Sequence, residues 1–501
     1  MLSIFAKIEL HPFLKETIST EHRLDELIDV IDFLEHRPIP STNSILIRNN
    51  EIGFMVDWYN LQPPFILPEA IELNKSNLLG IIFAKLANYE KAMEHLQPTN
   101  PSLFKELDFI NRLQNGIHLE PQELISNYTP FEEYRLMHNN AIVRHYSIEA
   151  HKFDPSKIAY YYEQAMSCAP NSEYEAYTIC HYAQFCMDLS QSETSVRLLD
   201  KASALDISEE AMIAVKHNLS QAWLQQLTVP YDQDLLERLK STLWEVLEAF
   251  EKTNRNAETG LLLLDASFVA NISDSFSESL GYVTRAIRIF EEEDLRHLAG
   301  NAHYRKGTLL YTWAQKGNPQ FFKPAIESYQ QALKVFTKEE APDVFADIHH
   351  NLGVLYVDMP SENTKKSIWA GVAVSSFDEA LNYYTKERFP YQYGMICNNY
   401  GNAFTKFPKA ALTDNHEKAL FYYQEALDVR TADYPFERAI TLLNYLEASW
   451  DVGNDPENFN EDRFNDMIAK AQEVKRLDVS TDMKKEAEKH LNLLKQLEEV
   501  S

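Results

Sequence analysis

The sequence predicts an all-α fold: a solenoid of stacked helix pairs closed by a C-terminal capping helix segment. Three observations carry this. First, Gly307, Gly353 and Gly401 recur at intervals of about 47 residues, and so do Ala325, Ala373 and Ala419, and Pro342, Pro390 and Pro435; self-similarity at such a period marks a repeat architecture. Second, each unit carries an Ala-x3-aromatic-x2-Ala block, at Ala325-Tyr329-Ala332, Ala373-Phe377-Ala380 and Ala419-Tyr423-Ala426. That spacing sets small, large and small residues on one helix face. Third, only 13 glycines in 501 residues, against a usual share of about 7%, leave few for tight β-turns or glycine-rich nucleotide loops.

Taken along the chain, residues 1–70 read as a mainly helical N-terminal cap. Within them SILIRNNEIGFMV reads equally as a short hairpin over 45–56 with its turn at NNEIG or as a degenerate first repeat. Residues 71–300 read as degenerate repeats. Gly80, Phe83, Ala92 and Leu96 keep the spacing; Ile158, Tyr162, Ala165 and Pro170 give a second-helix half. Ala183, Cys186, Ser195, Leu199 and Ala202 make another unit, Leu219 and Trp223 start a further first helix, and Ser267, Ser279, Val283 and Ala286 give one more. Residues 301–450 hold the three well-defined units. In these a small residue on the first helix admits the second, the aromatic fills the groove between pairs, and the proline ends one unit or starts the next. The surplus length of each unit falls between its helices, as in NPQFF and PSENTKKSIWAGV, and before the proline. Residues 461–499 are charged and amphipathic, with Phe464, Ile468, Ala471 and Val474 on one face and Ala487, Leu491, Leu494 and Leu497 on another. They suit the polar-backed cap that a solenoid needs.

Composition excludes several functions. A formal charge of −28, from 47 Lys+Arg against 75 Asp+Glu, argues against nucleic acid, whose phosphates demand clustered cations. Four cysteines in so long a chain make no disulfide framework. No window reaches 18 uncharged apolar residues, Gly260 to Ala270 with its Asp265 coming nearest, so no membrane association is expected and the default location is cytoplasmic.

Each chemical candidate has a structural reading. Cys180-His181 with Cys186 resembles a nucleophile pair, but adjacent residues face apart on a helix and Cys186 falls at a core position. His349-His350 opens HHNLG where the next unit reads CNNYG, so one histidine faces the groove and the other the stack. Tyr160-Tyr161-Tyr162, Tyr383-Tyr384 and Tyr422-Tyr423 supply one core aromatic each, and Glu291-Glu292-Glu293-Asp294 is a solvated loop. With no CxxC, HExxH, GxGxxG or GxxxxGK[ST], neither a metal nor a cofactor is expected. An enzyme with its site in residues 1–130 would need a deep pocket with clustered histidines and carboxylates.

These repeats resemble the tetratricopeptide repeat, whose 34-residue consensus has the same small and aromatic positions. The resemblance implies a right-handed α-solenoid whose first helices line a concave groove. Registering on Gly307 places Asn301, Tyr304, Arg305, Thr308 and Thr312 there. Gly353 places Asp347, His350, Asn351, Val354 and Val357, and Gly401 places Met395, Asn398, Asn399, Asn402 and Thr405. The partner-binding set is Asn301, Tyr304, Arg305, Thr308, Asp347, His350, Val354, Asn398, Asn402 and Thr405, an Asn-rich groove suited to a peptide backbone. Many such proteins clamp an acidic chaperone tail with Lys three before and Asn just after the small residue. Here those places hold Tyr304/Thr308, His350/Val354 and Asn398/Asn402, without lysine.

Tyr384-Thr385, Glu387, Phe389-Pro390 and Asn398-Asn399-Tyr400-Gly401-Asn402-Ala403-Phe404 also resemble the long bacterial repeats that accompany CHAT caspase-like peptidases. No peptidase domain follows, so a peptidase would be a separate chain. The expectation is a non-catalytic scaffold, adaptor or regulatory subunit of a bacterial defence or signalling system, holding a protein or peptide. The alternative is a sensor that binds a small ligand or signal peptide and changes solenoid shape. The sequence leaves the oligomeric state open.

Overall fold

The computed structural model describes residues 2–34, 39–40, 43–58, 64–117, 129–147, 152–360, 363–409, 414–452 and 460–500. The chain divides into two compact units, Met1–Thr253 and Asn254–Ser501.

The first unit opens with a mixed sheet, which corrects the all-α expectation. Its elements are β1 (Leu2–Ala6), α1 (His11–Ile18), β2 (Ile28–Asp32), β3 (Ser44–Arg48), β4 (Glu51–Gly53) and β5 (Ala70–Glu72). The strand order is β2-β1-β3-β4-β5. β1 runs parallel to β2 and β3, whereas β3–β4 and β4–β5 are antiparallel. The cause is the period of the apolar residues. Leu2, Ile4 and Ala6 alternate, as do Ile45 and Ile47, and a period of two fits a pleated strand. These side chains bury against Leu14 and Ile18 of α1 and against Leu78 and Ile82. Asn49 and Asn50 join β3 to β4 with φ of 50° and 61°, the left-handed pair that a two-residue type I′ hairpin requires. Of the two readings of this stretch, the structure has the hairpin.

Helices follow: α2 (Lys75–Lys85), α3 (Tyr89–Leu96), α4 (Pro101–Gln114), α5 (Pro130–Tyr146), α6 (Pro155–Ser167), α7 (Ser172–Asp188), α8 (Ser192–Ser203), α9 (Glu209–Gln226) and α10 (Gln233–Lys252). Side-chain oxygens of Asn74, Asn88, Asn100, Thr129, Asn171 and Ser208 cap the starts of α2, α3, α4, α5, α7 and α9. Each satisfies an amide that the first helical turn leaves unpaired. Buried α5 ties down the strand-rich segment before it: Asn139 accepts from the Ile66 amide at 2.8 Å and donates to the Ile66 carbonyl at 2.9 Å.

The second unit is a run of helix hairpins. They are α11 (Asn256–Ile272) with α12 (Phe276–Glu292), α13 (Arg296–Gln315) with α14 (Phe322–Ala332), α15 (Pro342–Asp358) with α16 (Asn363–Tyr383), and α17 (Pro390–Lys406) with α18 (Asn415–Val429). Then come α19 (Pro435–Ser449), α20 (Glu461–Arg476) and α21 (Thr481–Val500); Leu442 and Leu446 of α19 pack on Val474 and Met467 of α20 and on Ala487 and Leu494 of α21. Pro342, Pro390 and Pro435 each stand at the first turn of a first helix. There the missing N–H has no partner to lose, so the proline starts the next unit.

Glycine and aromatic meet inside every clear hairpin. A Cβ at Gly307 would stand 2.8 Å from the Tyr329 ring, one at Gly353 3.1 Å from Phe377, and one at Gly401 2.5 Å from Tyr423. The flanking alanines are fully buried. Among the degenerate units Gly80 meets Leu96 in the same way, whereas Gly260 meets Phe290 two turns earlier on its helix, the place where Gly300 meets Val335 and Phe336 in the next hairpin. One expectation about the insertions changes. Asn363–Tyr383 is a single 21-residue helix, so most of PSENTKKSIWAGV lengthens the second helix. NPQFF forms a short 3-10 turn at Pro319–Phe321.

Candidate partner-binding face

Repeat register gives every first helix of the second unit the same face. Counted from the small residue that meets the second helix, position +1 holds Phe268, Thr308, Val354 and Asn402, with Ser267 as the small residue of α11. Position −3 holds Leu264, Tyr304, His350 and Asn398. The structure gives each position a job.

Position +1 is matched to the aromatic of its own hairpin. The Thr308 hydroxyl lies 3.0 Å from the Tyr329 hydroxyl, and Tyr423 donates to Asn402 Oδ1 at 2.7 Å. Phe377 has no hydroxyl, and its hairpin carries Val354. A buried Tyr hydroxyl needs a partner, so the polarity of position +1 follows the aromatic.

Position −3 joins neighbouring first helices. Asn351 donates to the Tyr304 hydroxyl oxygen at 3.2 Å, Asn399 Nδ2 bonds His350 Nε2 at 3.0 Å, and Asn444 donates to Asn398 Oδ1 at 3.2 Å. These three bonds recur at one register and form a ladder from α13 to α19. The amide nitrogen only donates, so His350 Nε2 carries the lone pair. Burial pushes the His350 pKa down to about 4 and keeps the ring neutral for that role.

The sequence-derived site residues thus fall into three groups. Tyr304, His350 and Asn398 form the ladder, and His350 and Asn398 are buried. Thr308, Val354 and Asn402 serve their own hairpins. Of the remainder, Asp347 accepts from Tyr384 at 2.8 Å and is raised in pKa by burial. Thr405 donates to the Asn402 carbonyl at 2.9 Å, and Arg305 Nε donates to Asn301 Oδ1 at 3.0 Å. Asn301, Arg305 and Thr308 are exposed.

The ladder stops at α11, where position −3 is Leu264. There an open pocket of about 420 Å³ lies between α11 and α13. Its lining includes Leu264, Phe268 and Asn271 of one helix and Tyr304, Arg305 and Thr312 of the other. Phe268 is 44% exposed. Asn271 Oδ1 is shielded from solvent and has no hydrogen-bond partner. The α11 residues were missed from the sequence because no glycine marks α11 at that register. Treating Ser267 as the small residue would have placed Leu264 and Phe268 on this face.

The other chemical candidates are held in place. Cys180 and Cys186 are buried, and burial pushes their pKa values up to about 12 and about 11; thiols so held are poor nucleophiles. His349 lies over Phe345 with ring centroids 4.4 Å apart. In the first unit His138 bonds the Pro64 carbonyl at 2.8 Å and Thr178 at 3.0 Å, and burial drives its pKa down to about 4. His145 bridges the Tyr162 hydroxyl and Asp188, each at 2.8 Å. A cavity of about 90 Å³ beside the sheet includes Asp57 and Lys85, 3.6 Å apart. Among the described residues no three His, Cys, Asp or Glu side chains group to hold a metal ion, and no helix is long and apolar enough to cross a membrane.

No protein-family model matches the sequence. No curated protein matches it either. Among solved structures, the chain is similar to a STAND protein with a tetratricopeptide repeat sensor from Pyrococcus horikoshii, at 12% identity and TM-score 0.39; the match covers 79% of this chain and 52% of that one. It is also similar to yeast Tom70, at 12% identity, TM-score 0.37 and 84% and 82% coverage. A Rap protein complexed with competence and sporulation factor matches at 14% identity, TM-score 0.36 and 72% and 88% coverage. The chain spans about half the length of the STAND protein. The second unit is built of tetratricopeptide-like helix hairpins, as its own glycine–aromatic contacts show, and the first unit opens with the small mixed sheet.

Proposed function

We propose that this chain is a non-catalytic scaffold, adaptor or regulatory subunit that holds a protein or peptide partner on the first-helix face of its second unit. The supporting observation is Arg305. It is exposed, bonded only through Nε to Asn301, and in no ion pair among the described residues, while it borders an open pocket with an exposed phenylalanine. An unneutralised cation beside accessible apolar surface fits the anatomy of a binding site better than that of a solvated face. The ladder supports the same reading, because it fixes adjacent first helices and so preorganises the surface. In this reading the protein acts in a bacterial cytoplasm, and a separate caspase-like peptidase or other effector is the partner to look for.

The pocket also favours a second reading, a sensor that takes a small ligand or signal peptide there. Affinity capture of the tagged full-length chain from its host, read by mass spectrometry, separates the two. A single stoichiometric partner retained by the wild type and lost from Arg305→Glu establishes the adaptor. Recovery of the protein alone rejects it in favour of the sensor.

A further inference from the structure

We propose that the outer edge of β2 is a second docking site, which takes up a basic, extended segment of a partner protein as a further strand of the sheet. The two outer strands of this sheet differ. β5 is three residues long, and its Glu72 carbonyl accepts a hydrogen bond from Asn77 Nδ2 of α2 at 2.8 Å. β2, at the opposite edge, is five residues long. Its register with β1 fixes which way each peptide group points. The Leu2 amide bonds the Leu27 carbonyl and the Phe33 amide bonds the Ala6 carbonyl. In a parallel ladder, residues 27, 29, 31 and 33 therefore face β1. Ile28, Val30 and Asp32 turn their N–H and C=O groups outward, where no hydrogen bond among the described residues reaches them. Such a row of unpaired groups is a template for strand addition.

The side chains around this edge set the chemistry of the partner. Asp29 and Asp32 are exposed, as is Asp25 just before the strand, and none of the three is in an ion pair among the described residues. The neighbouring Arg23 is spent on Glu26. Strand residues three apart point to opposite faces, so Asp29 and Asp32 present one carboxylate on each side of the ladder. Lys or Arg at positions i and i+3 of an added strand answers both, because opposite charges across a ladder attract and like charges repel. A second copy of this chain would instead crowd two aspartates from each strand onto one short ladder. Aspartates alone would serve to keep copies apart. Leu27 and Leu34, exposed at the two ends of β2, and Ile8, exposed just past β1, do not serve that purpose, and they give the apolar side chains of a partner strand a surface to cover.

Ligand-observed NMR titration of the full-length protein tests this with acetyl-Thr-Lys-Val-Val-Lys-Val-Thr-amide. Two controls accompany it: the peptide with both lysines replaced by glutamate, and the lysine peptide N-methylated at every amide. The lysine peptide is expected to bind below about 1 mM and about tenfold more tightly than the glutamate peptide. The N-methylated peptide, with no N–H to donate, should not bind. Asp29→Lys combined with Asp32→Lys should invert the preference, and both positions are exposed, so the fold is kept. Val30→Pro removes an outward N–H and no ladder bond, a change that edge strands tolerate, and should abolish binding. No binding below roughly 10 mM, or equal binding of the lysine and glutamate peptides, would overturn the proposal. Equal binding of the N-methylated peptide would overturn it too, by leaving charge attraction alone. A wild-type dimer that Val30→Pro converts to monomer in sedimentation would overturn it in favour of a second copy. Arg305→Glu, in the other unit, should leave binding of the lysine peptide unchanged; its loss there would place the peptide on the first-helix face and sink the β2 site.

Discussion

The junction between α13 and α15 and the junction between α11 and α13 share one register and end differently. In the first, Tyr304 accepts a hydrogen bond from Asn351 and the face is closed. In the second, Leu264 stands where Tyr304 would be, and an open pocket replaces the bond. The hairpin interiors show a parallel contrast. The α13, α15 and α17 hairpins set glycine against Tyr329, Phe377 and Tyr423, whereas the α11 hairpin sets Ser267 against Ser279 with hydrogen bonds of 2.7–3.0 Å. The aromatic position of that hairpin holds Val283, and an exposed aromatic, Phe268, appears on the first helix instead. One repeat scaffold therefore makes either a sealed surface or an accessible one, according to which helix carries the ring.

The largest effect should come from emptying a clear hairpin. Phe377 is fully buried, and Phe377→Ala should lower unfolding stability by about 3–5 kcal/mol in urea titration. Val283→Ala, at the matching position of α12, should cost about 2 kcal/mol because fewer methylenes are lost. Equal losses would break the comparison by showing that α12 is out of the assigned register. Overfilling comes next. Ala380→Trp and Ala426→Trp should each destabilise by about 1–3 kcal/mol, and unchanged melting temperatures in both would mean that the alanines do not face the first helix.

The ladder can be probed by pH. Burial holds the His350 pKa at about 4 in the folded chain, below the ordinary value of about 6.5. The unfolded chain then binds more protons between those values, so stability is fully present above pH ~6.5 and is lost as pH falls toward ~4. His138 titrates in the same direction for the same cause. Each contributes at most about 1.4 kcal/mol per pH unit, and His350→Gln should make the loss measured by thermal melts shallower. A slope identical to wild type would mean that His350 is not held neutral by the fold. Tyr304→Phe, which removes one rung, should cost about 1 kcal/mol. The smallest effect belongs to the exposed Lys338–Glu379 pair at 2.7 Å; Lys338→Met should shift stability by less than about 0.5 kcal/mol.

Much of the fold was legible because hairpin interiors impose a strict pattern. Gly401 has to be small because Tyr423 lies against it, and Ala419 and Ala426 have to be small because the facing helix leaves no room. The sheet was less legible. β1 is five residues long and β4 and β5 three each, too short to outweigh a repeat signal that fills the rest of the chain. The face was half legible: the register located Tyr304, His350 and Asn398, but not that each spends its polar atom on a neighbouring helix.

The amino-acid sequence by itself determined the repeat period, the small and aromatic positions, and the prolines that open first helices, since these follow from sterics within one helix pair. Only the tertiary structure decided which face residues are consumed by the ladder, where the ladder stops, and that the first strands form a mixed sheet. Those outcomes depend on side chains and strands brought together from about 40 to 50 positions apart, and periodicity along a single helix carries no information about such pairings.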